Sequence, residues 1–147
     1  VEKAGEGIDR VSSKFSYVLG DNLENLTLSG TFSVDGTGNA LDNVIQGNKG
    51  DNVLDGAGGA DTLFGGGGAD TFVLRNGQAD GDEILDFTGV GAPGGDILKF
   101  VGFDPGSSLE QIGDSDYYEV HGAKGDVLAT IHLTDVFALD KGDYLFA

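Results

Sequence analysis

Four oxygen-bearing side chains, Asn43, Asn52, Asp61 and Asp70, recur nine residues apart, and each closes a six-residue, glycine-rich stretch. As consecutive nonapeptides the segment is GNALDNVIQ (38–46), GNKGDNVLD (47–55), GAGGADTLF (56–64) and GGGGADTFV (65–73). Glycine-rich turns direct backbone carbonyls into the space between neighbouring turns, and the residue ending each turn adds a side-chain oxygen. These are ligands for a hard cation, and a gap offering about six oxygens at roughly 2.3–2.6 Å suits Ca2+. Mg2+ fits less well, because it resists losing water to a flexible cage of carbonyls. The candidate ligands are the turn positions Gly38, Ala40 and Asn43; Gly47, Lys49 and Asn52; Gly56, Gly58 and Asp61; and Gly65, Gly67 and Asp70.

The elements that must hold these turns follow from the eighth position of each unit, where Ile45, Leu54, Leu63 and Phe72 stand. Side chains alternate across a strand, so three residues after each turn suffice for a short strand with one inward side chain. One nonapeptide is then half a coil, and two make a full turn of eighteen residues. This predicts Ile45 stacked on Leu63 in one sheet, facing Leu54 on Phe72 in the other. It also predicts cages between turns 38–43 and 56–61, and between turns 47–52 and 65–70.

Composition narrows the alternatives. The chain has 147 residues, 8 Lys and Arg against 25 Asp and Glu, a net charge of −17 and no Cys. Disulfide frameworks, zinc ribbons and thiol catalysis are thereby excluded. No apolar run reaches the length of a membrane span, and a chain this acidic, without a basic cluster, repels nucleic-acid phosphates. There are 27 Gly, and 19 of the acids are Asp against 6 Glu, which favours turns over helices. Val1 to Glu6 holds no initiator Met and no apolar stretch that would serve as a signal peptide, so the chain reads as part of a longer protein.

GAGGADTLF and GGGGADTFV resemble the GGxGxDxUx nonapeptide of RTX, or haemolysin-type, calcium-binding proteins. The last unit matches every specified position, and the third departs only at Ala57. The resemblance implies an all-β fold: a parallel β-roll, a β-helix-like solenoid, with Ca2+ between successive turns and a non-repetitive β C-terminal cap. Asn43 and Asn52 stand where that family has Asp, and Leu41 stands where it has a turn Gly. Coordination is therefore expected to weaken toward the N-terminal end and to be strongest around Asp61 and Asp70.

The flanks extend the resemblance. AGEGIDRVS (4–12), with Gly5, Gly7, Asp9 and Val11 in register, and DNLENLTLSG (21–30) look like worn rungs, so residues 1–37 are expected to lengthen the roll. After Phe72 come GDEILDF (81–87) and GGDILKF (94–100), both read as short strands entered by acidic turns. The first matches a D-x-I-x-D-F stretch that closes such rolls, which implies ligand roles for Asp82 and Asp86. Asp80 and Asp82 are candidates to partner the 56–61 turn. DYYEVH (116–121) and DVLATIHL (126–133) flank GAKG, a hairpin signal. The expected division is thus residues 1–37, degenerate rungs; 38–73, the calcium roll; and 74–147, the cap. The ending KGDYLFA resembles the uncleaved C-terminal signal of proteins exported by type I secretion machinery from Gram-negative bacteria.

Catalytic signatures are missing: there is no G-x-S-x-G, H-E-x-x-H or phosphate-cradling GK[ST]. His121 and His132 have no Ser or acidic partner at a recognised spacing, and Tyr117, Tyr118 and Tyr144 read first as strand residues. The leading expectation is a secreted, non-enzymatic module that folds on Ca2+ outside the cell and caps an upstream domain. The alternative is a polysaccharide-binding module for an acidic, alginate-like chain, since repeat modules of mannuronan C5-epimerases are similar in size and layout. A stabilising domain of a secreted lipase or protease is a third.

Overall fold

A computed structural model describes residues 7–89, 95–134, 136 and 139–147. Gly5 and Gly94, read above as parts of two rungs, lie outside the described residues. Among the described residues fourteen strands, numbered along the chain, lie in two sheets and alternate between them from β1 to β10, and no helix occurs. None is therefore present that is long and apolar enough to cross a membrane.

One sheet holds β1 (Arg10–Ser13), β3 (Asn25–Leu28), β5 (Val44–Gln46), β7 (Thr62–Phe64) and β9 (Glu83–Ile84), followed by β13 (Val127–Leu133), β12 (Tyr117–His121) and β11 (Ser108–Gln111). The other holds β2 (Tyr17–Val18), β4 (Gly36–Thr37), β6 (Val53–Asp55), β8 (Thr71–Arg75), β10 (Ile97–Val101) and β14 (Tyr144–Phe146). All pairings are parallel except the β11–β12–β13 meander. Successive turns carry the chain from one sheet to the other and back, which makes the architecture a parallel β-roll.

Register follows the apolar positions. Leu26, Ile45, Leu63, Ile84 and Leu133 are consecutive cross-strand partners in the first sheet. Leu54, Phe72, Leu98 and Tyr144 form the matching row in the second. Ile45, Leu54, Leu63, Phe72, Ile84, Leu98 and Leu133 are all 0% exposed. Full burial of such side chains contributes about 1.5–3 kcal/mol each, yet the three-residue strands β5, β6 and β7 supply only one each. The worn rungs keep the register even where the apolar residue is missing. Gly36 holds the inward position of β4, and methyl groups of Leu26, Ile45 and Leu28 fill the space 3.1–3.4 Å from where its Cβ would lie.

The roll does not close at 81–87 as the D-x-I-x-D-F pattern implies. Ile84 of β9 has Leu133 of β13 on its far side, and β10 and β14 lengthen the opposite sheet. The reason is that Asp96-Ile97-Leu98 and Asp143-Tyr144-Leu145 still place an apolar side chain inward after an acidic turn, so the two sheets continue through the cap. Tyr118, Val120, Ala129 and Ile131 of the meander belong to the same buried cluster as the repeats.

Candidate metal centre

Turns eighteen residues apart lie on one another, tied by backbone hydrogen bonds. Gly58 N–H donates to the Asn39 carbonyl and Gly67 N–H to the Asn48 carbonyl, both at 2.9 Å. The residues that close the turns form two columns. Asn43 N–H donates to Asp61 Oδ1 (2.7 Å), and Asp61 N–H to Asp82 Oδ1 (3.0 Å). In the second column Asn52 N–H donates to Asp70 Oδ1, and Asp70 N–H to Asp96 Oδ1, both at 2.8 Å. All six side chains are buried.

Backbone carbonyls point into the gaps, as the glycine content suggests. The Gly56 carbonyl oxygen faces Gly38, and the Gly65 carbonyl oxygen faces Gly47, so closely that a Cβ on either glycine would collide with it. Neither glycine needs a left-handed backbone; both are required by close approach. Gly47→Ala is accordingly expected to lower stability by about 1–3 kcal/mol or more, whereas Gly67→Ala, with nothing within 4 Å of the added methyl, should be near neutral. Thermal melts of the two variants in calcium check this contrast.

The decisive feature is one atom. Asp61 Oδ2 is buried and has no hydrogen-bond donor. An ionised oxygen removed from water without a partner is costly, and a cation is the group that this arrangement of carboxylate and carbonyl oxygens fits. Among the described residues no three acidic or histidine side chains converge on one point. An ion here would therefore be held by a few carboxylates with backbone carbonyls completing the shell.

Not every candidate ligand from the sequence stands alike. Asp61, Asp70 and Asp82 lie in the columns, each with one carboxylate oxygen accepting from a backbone amide. Asp86 spends both oxygens on the Gly65 and Gly66 amides (2.8 Å each). Asp80 is exposed and accepts from Thr130 N–H on β13 (2.9 Å). Ala40 and Lys49 are exposed at the turn tips, and Gly58 and Gly67 are half-buried. Leu41 does not spoil its turn: Asn39 Oδ1 accepts from Leu41 N–H (2.8 Å), and Asn48 Oδ1 from Gly50 N–H (2.7 Å). These Asx turns bend the chain without left-handed residues. Asp96 was not a candidate, although Asp96-Ile97-Leu98 repeats the pattern of Asp70-Thr71-Phe72. His132 has an acidic neighbour after all, Glu83 at 2.7 Å across the β9–β13 pair.

Electrostatics agree with a site short of positive charge. Burial pushes the Asp61 carboxyl up to about 7, partly offset by the Asn43 amide, with Asp82, Asp42 and Asp55 adding repulsion. Burial likewise takes Asp70 and Asp82 to about 6, and raises Asp96. A carboxyl whose pKa is higher folded than unfolded favours the metal-free fold only while protonated. That contribution is present below the ordinary value of 3.8 and lost as pH rises through 6 to 7. Metal-free chain is thus expected to be more folded, with any melt shifted to higher temperature, in mild acid than at slightly alkaline pH. Its calcium affinity should fall over the same acid range as protons compete. Melts of dialysed protein and calcium titrations across that range check both signs.

Comparison with known proteins agrees with this geometry. A family model of the RTX calcium-binding nonapeptide repeat, in four copies, matches residues 37–72. The chain is also similar to Endo-1,3-1,4-beta-glycanase ExsH of Rhizobium meliloti, 50% identical over 48 residues. That stretch covers 31% of this chain and 10% of the glycanase, so the chain spans only a small part of that relative's length. RTX repeats bind Ca2+ and are typical of secreted, extracellular proteins. Parallel rungs, stacked turns and the family match together make residues 37–72 a run of RTX calcium-binding nonapeptide repeats, a structural rather than a catalytic module.

Proposed function

We propose that the chain is a calcium-driven folding switch of a secreted bacterial protein, kept unfolded during export and assembled outside the cell, where it caps and stabilises the domain before it. The observation that carries this reading is the buried Asp61 Oδ2 without a donor, in a chain of net charge −17. Without cations, repulsion among the columns and the entropy of 27 glycines oppose compaction. Calcium would supply the missing positive charge between turns and, because the cage does not exist in the unfolded chain, its binding free energy would be folding free energy. Asp61, Asp70 and Asp82 are the proposed carboxylate ligands, with the Gly56 and Gly65 carbonyls among the backbone donors. Extracellular modules of this kind bind on the order of 10⁻⁴ to 10⁻³ M, so a calcium-poor cell interior would leave the chain open for a type I secretion channel. Residues 1–37, 38–73 and 74–147 would then act as one cooperative unit, since one buried cluster runs from Leu19 to Leu133. Limited proteolysis at submicromolar and at millimolar free calcium tests the switch: cleavage throughout 38–86 at low calcium and protection at high calcium are expected, and equal protection at both would overturn it.

The glycanase relative favours a second reading, a polysaccharide-binding module attached to a carbohydrate-active enzyme. Tyr117, 48% exposed and stacked on His132 with ring centroids 4.4 Å apart, offers an aromatic face on the outside of the sheet. An acidic module would need calcium to bridge it to an acidic chain. Calorimetric titration of oligo-uronates into the calcium-loaded chain separates the readings: measurable heat, abolished by Tyr117→Ala, supports polysaccharide binding, and its absence leaves the structural role.

A further inference from the structure

The four turns are of two kinds. In turns 38–43 and 47–52 the closing asparagine spends both ends of its amide. Asn43 Oδ1 accepts from Asn39 N–H (2.7 Å), while Nδ2 donates to the Leu23 and Glu24 carbonyls of the preceding rung (3.2 and 3.3 Å). Asn52 Oδ1 accepts from Asn48 N–H (2.8 Å), while Nδ2 donates to the Val34 carbonyl (2.6 Å). The orientation of each amide is forced, because a backbone N–H on one side only donates and backbone carbonyls on the other only accept.

In turns 56–61 and 65–70 the second residue is left-handed, Ala57 at φ 70° and Gly66 at φ 99°. Its N–H turns away, to Asp55 Oδ1 (3.1 Å) in one case and Asp86 Oδ2 (2.8 Å) in the other. Asp61 Oδ2 is left buried without a donor. Below them Asp96 is again saturated, by Asp70 N–H and by the N–H and hydroxyl of Thr88.

We infer that Asn43 and Asn52 are not calcium ligands but metal-free closures of the stack, each amide group presenting to the carbonyls above it the positive edge that an ion presents further down. This rests on the calcium reading and adds where the ion-dependent stretch begins. It starts at the Asp61 and Asp70 turns and stops at Asp96, so the N-terminal rung junctions need no ion. The neutral amide fits carbonyl oxygens on one side and an N–H on the other. A carboxylate in the same place would face the Leu23 and Glu24 carbonyls oxygen to oxygen, which is stable only with a cation between them.

Native mass spectrometry of the chain in millimolar calcium counts the ions. Asn43→Asp is expected to hold one ion more than wild type, and Asn43→Ala the same number as wild type. An unchanged count in Asn43→Asp, or a lower one in Asn43→Ala, would overturn the inference while leaving calcium binding intact. If Asn43→Asp does not fold in calcium, Asn52→Asp is the parallel test, and failure of both to fold counts against it. A wild-type chain that holds no ion overturns this inference and the calcium reading together.

Discussion

Asp61→Asn is expected to move stability in opposite directions with and without calcium. In the metal-free chain the Asp61 carboxyl is pushed to about 7 by burial and by the Asp82, Asp42 and Asp55 carboxylates. Exchanging it for a neutral amide of the same shape removes that cost and should raise the melting temperature of the chelated protein, or shift it toward the folded form. In calcium the same exchange would remove a charged oxygen from the proposed cage. The calcium midpoint for folding should then rise on the order of tenfold or more, since ligand charge is what sets affinity in such sites. Asp70→Ala should likewise raise the midpoint more than Asn43→Ala, because only the former removes charge. Calcium titrations followed by circular dichroism measure both limbs. A parallel loss at zero and saturating calcium would mean that Asp61 acts through packing alone.

The second large effect lies in the core. Phe72 is 0% exposed, lies between Leu54 and Leu98 in its sheet, and meets the Phe87 ring at 6.3 Å between centroids. Phe72→Ala is expected to cost about 3–5 kcal/mol, the transfer term plus an unfilled cavity. Domains of ordinary stability have only about 5–15 kcal/mol to lose. Phe64, 37% exposed on the outer side of β7, is the control, with an expected loss within about 0.5–1 kcal/mol. Urea unfolding in saturating calcium measures both.

The roll was legible in the sequence wherever the spacing held. Ile45 over Leu63 and Leu54 over Phe72 follow from the nine-residue period, because side-chain alternation allows one inward residue per three-residue strand. Past Phe72 the period breaks but the local pattern does not. Asp82 and Asp96 join their columns 21 and 26 residues after their partners. Inserted loops lengthen the coil without changing the acidic turn and apolar strand that define a rung. A count by nines therefore missed Asp96, whereas a search for an acid two residues before an inward apolar residue would have found it. The β9–β13 pairing was less accessible, since Glu83 and His132 are 49 residues apart and nothing local links them. Hardest to read was the difference between Asn43 and Asp61. As letters, Asn and Asp both offer oxygen; which way the amide points, and whether the second turn residue is left-handed, depends on the carbonyls of the rung above.

On the calcium-switch proposal, positive charge between stacked turns contributes more to the fold than apolar burial, and far-ultraviolet circular dichroism across a calcium titration from a chelated baseline is the test. The chelated chain is expected to lack most of its strand signal and to regain it cooperatively as free calcium reaches the millimolar range. A chelated chain with the same spectrum and the same melting temperature as the calcium-loaded one would contradict it.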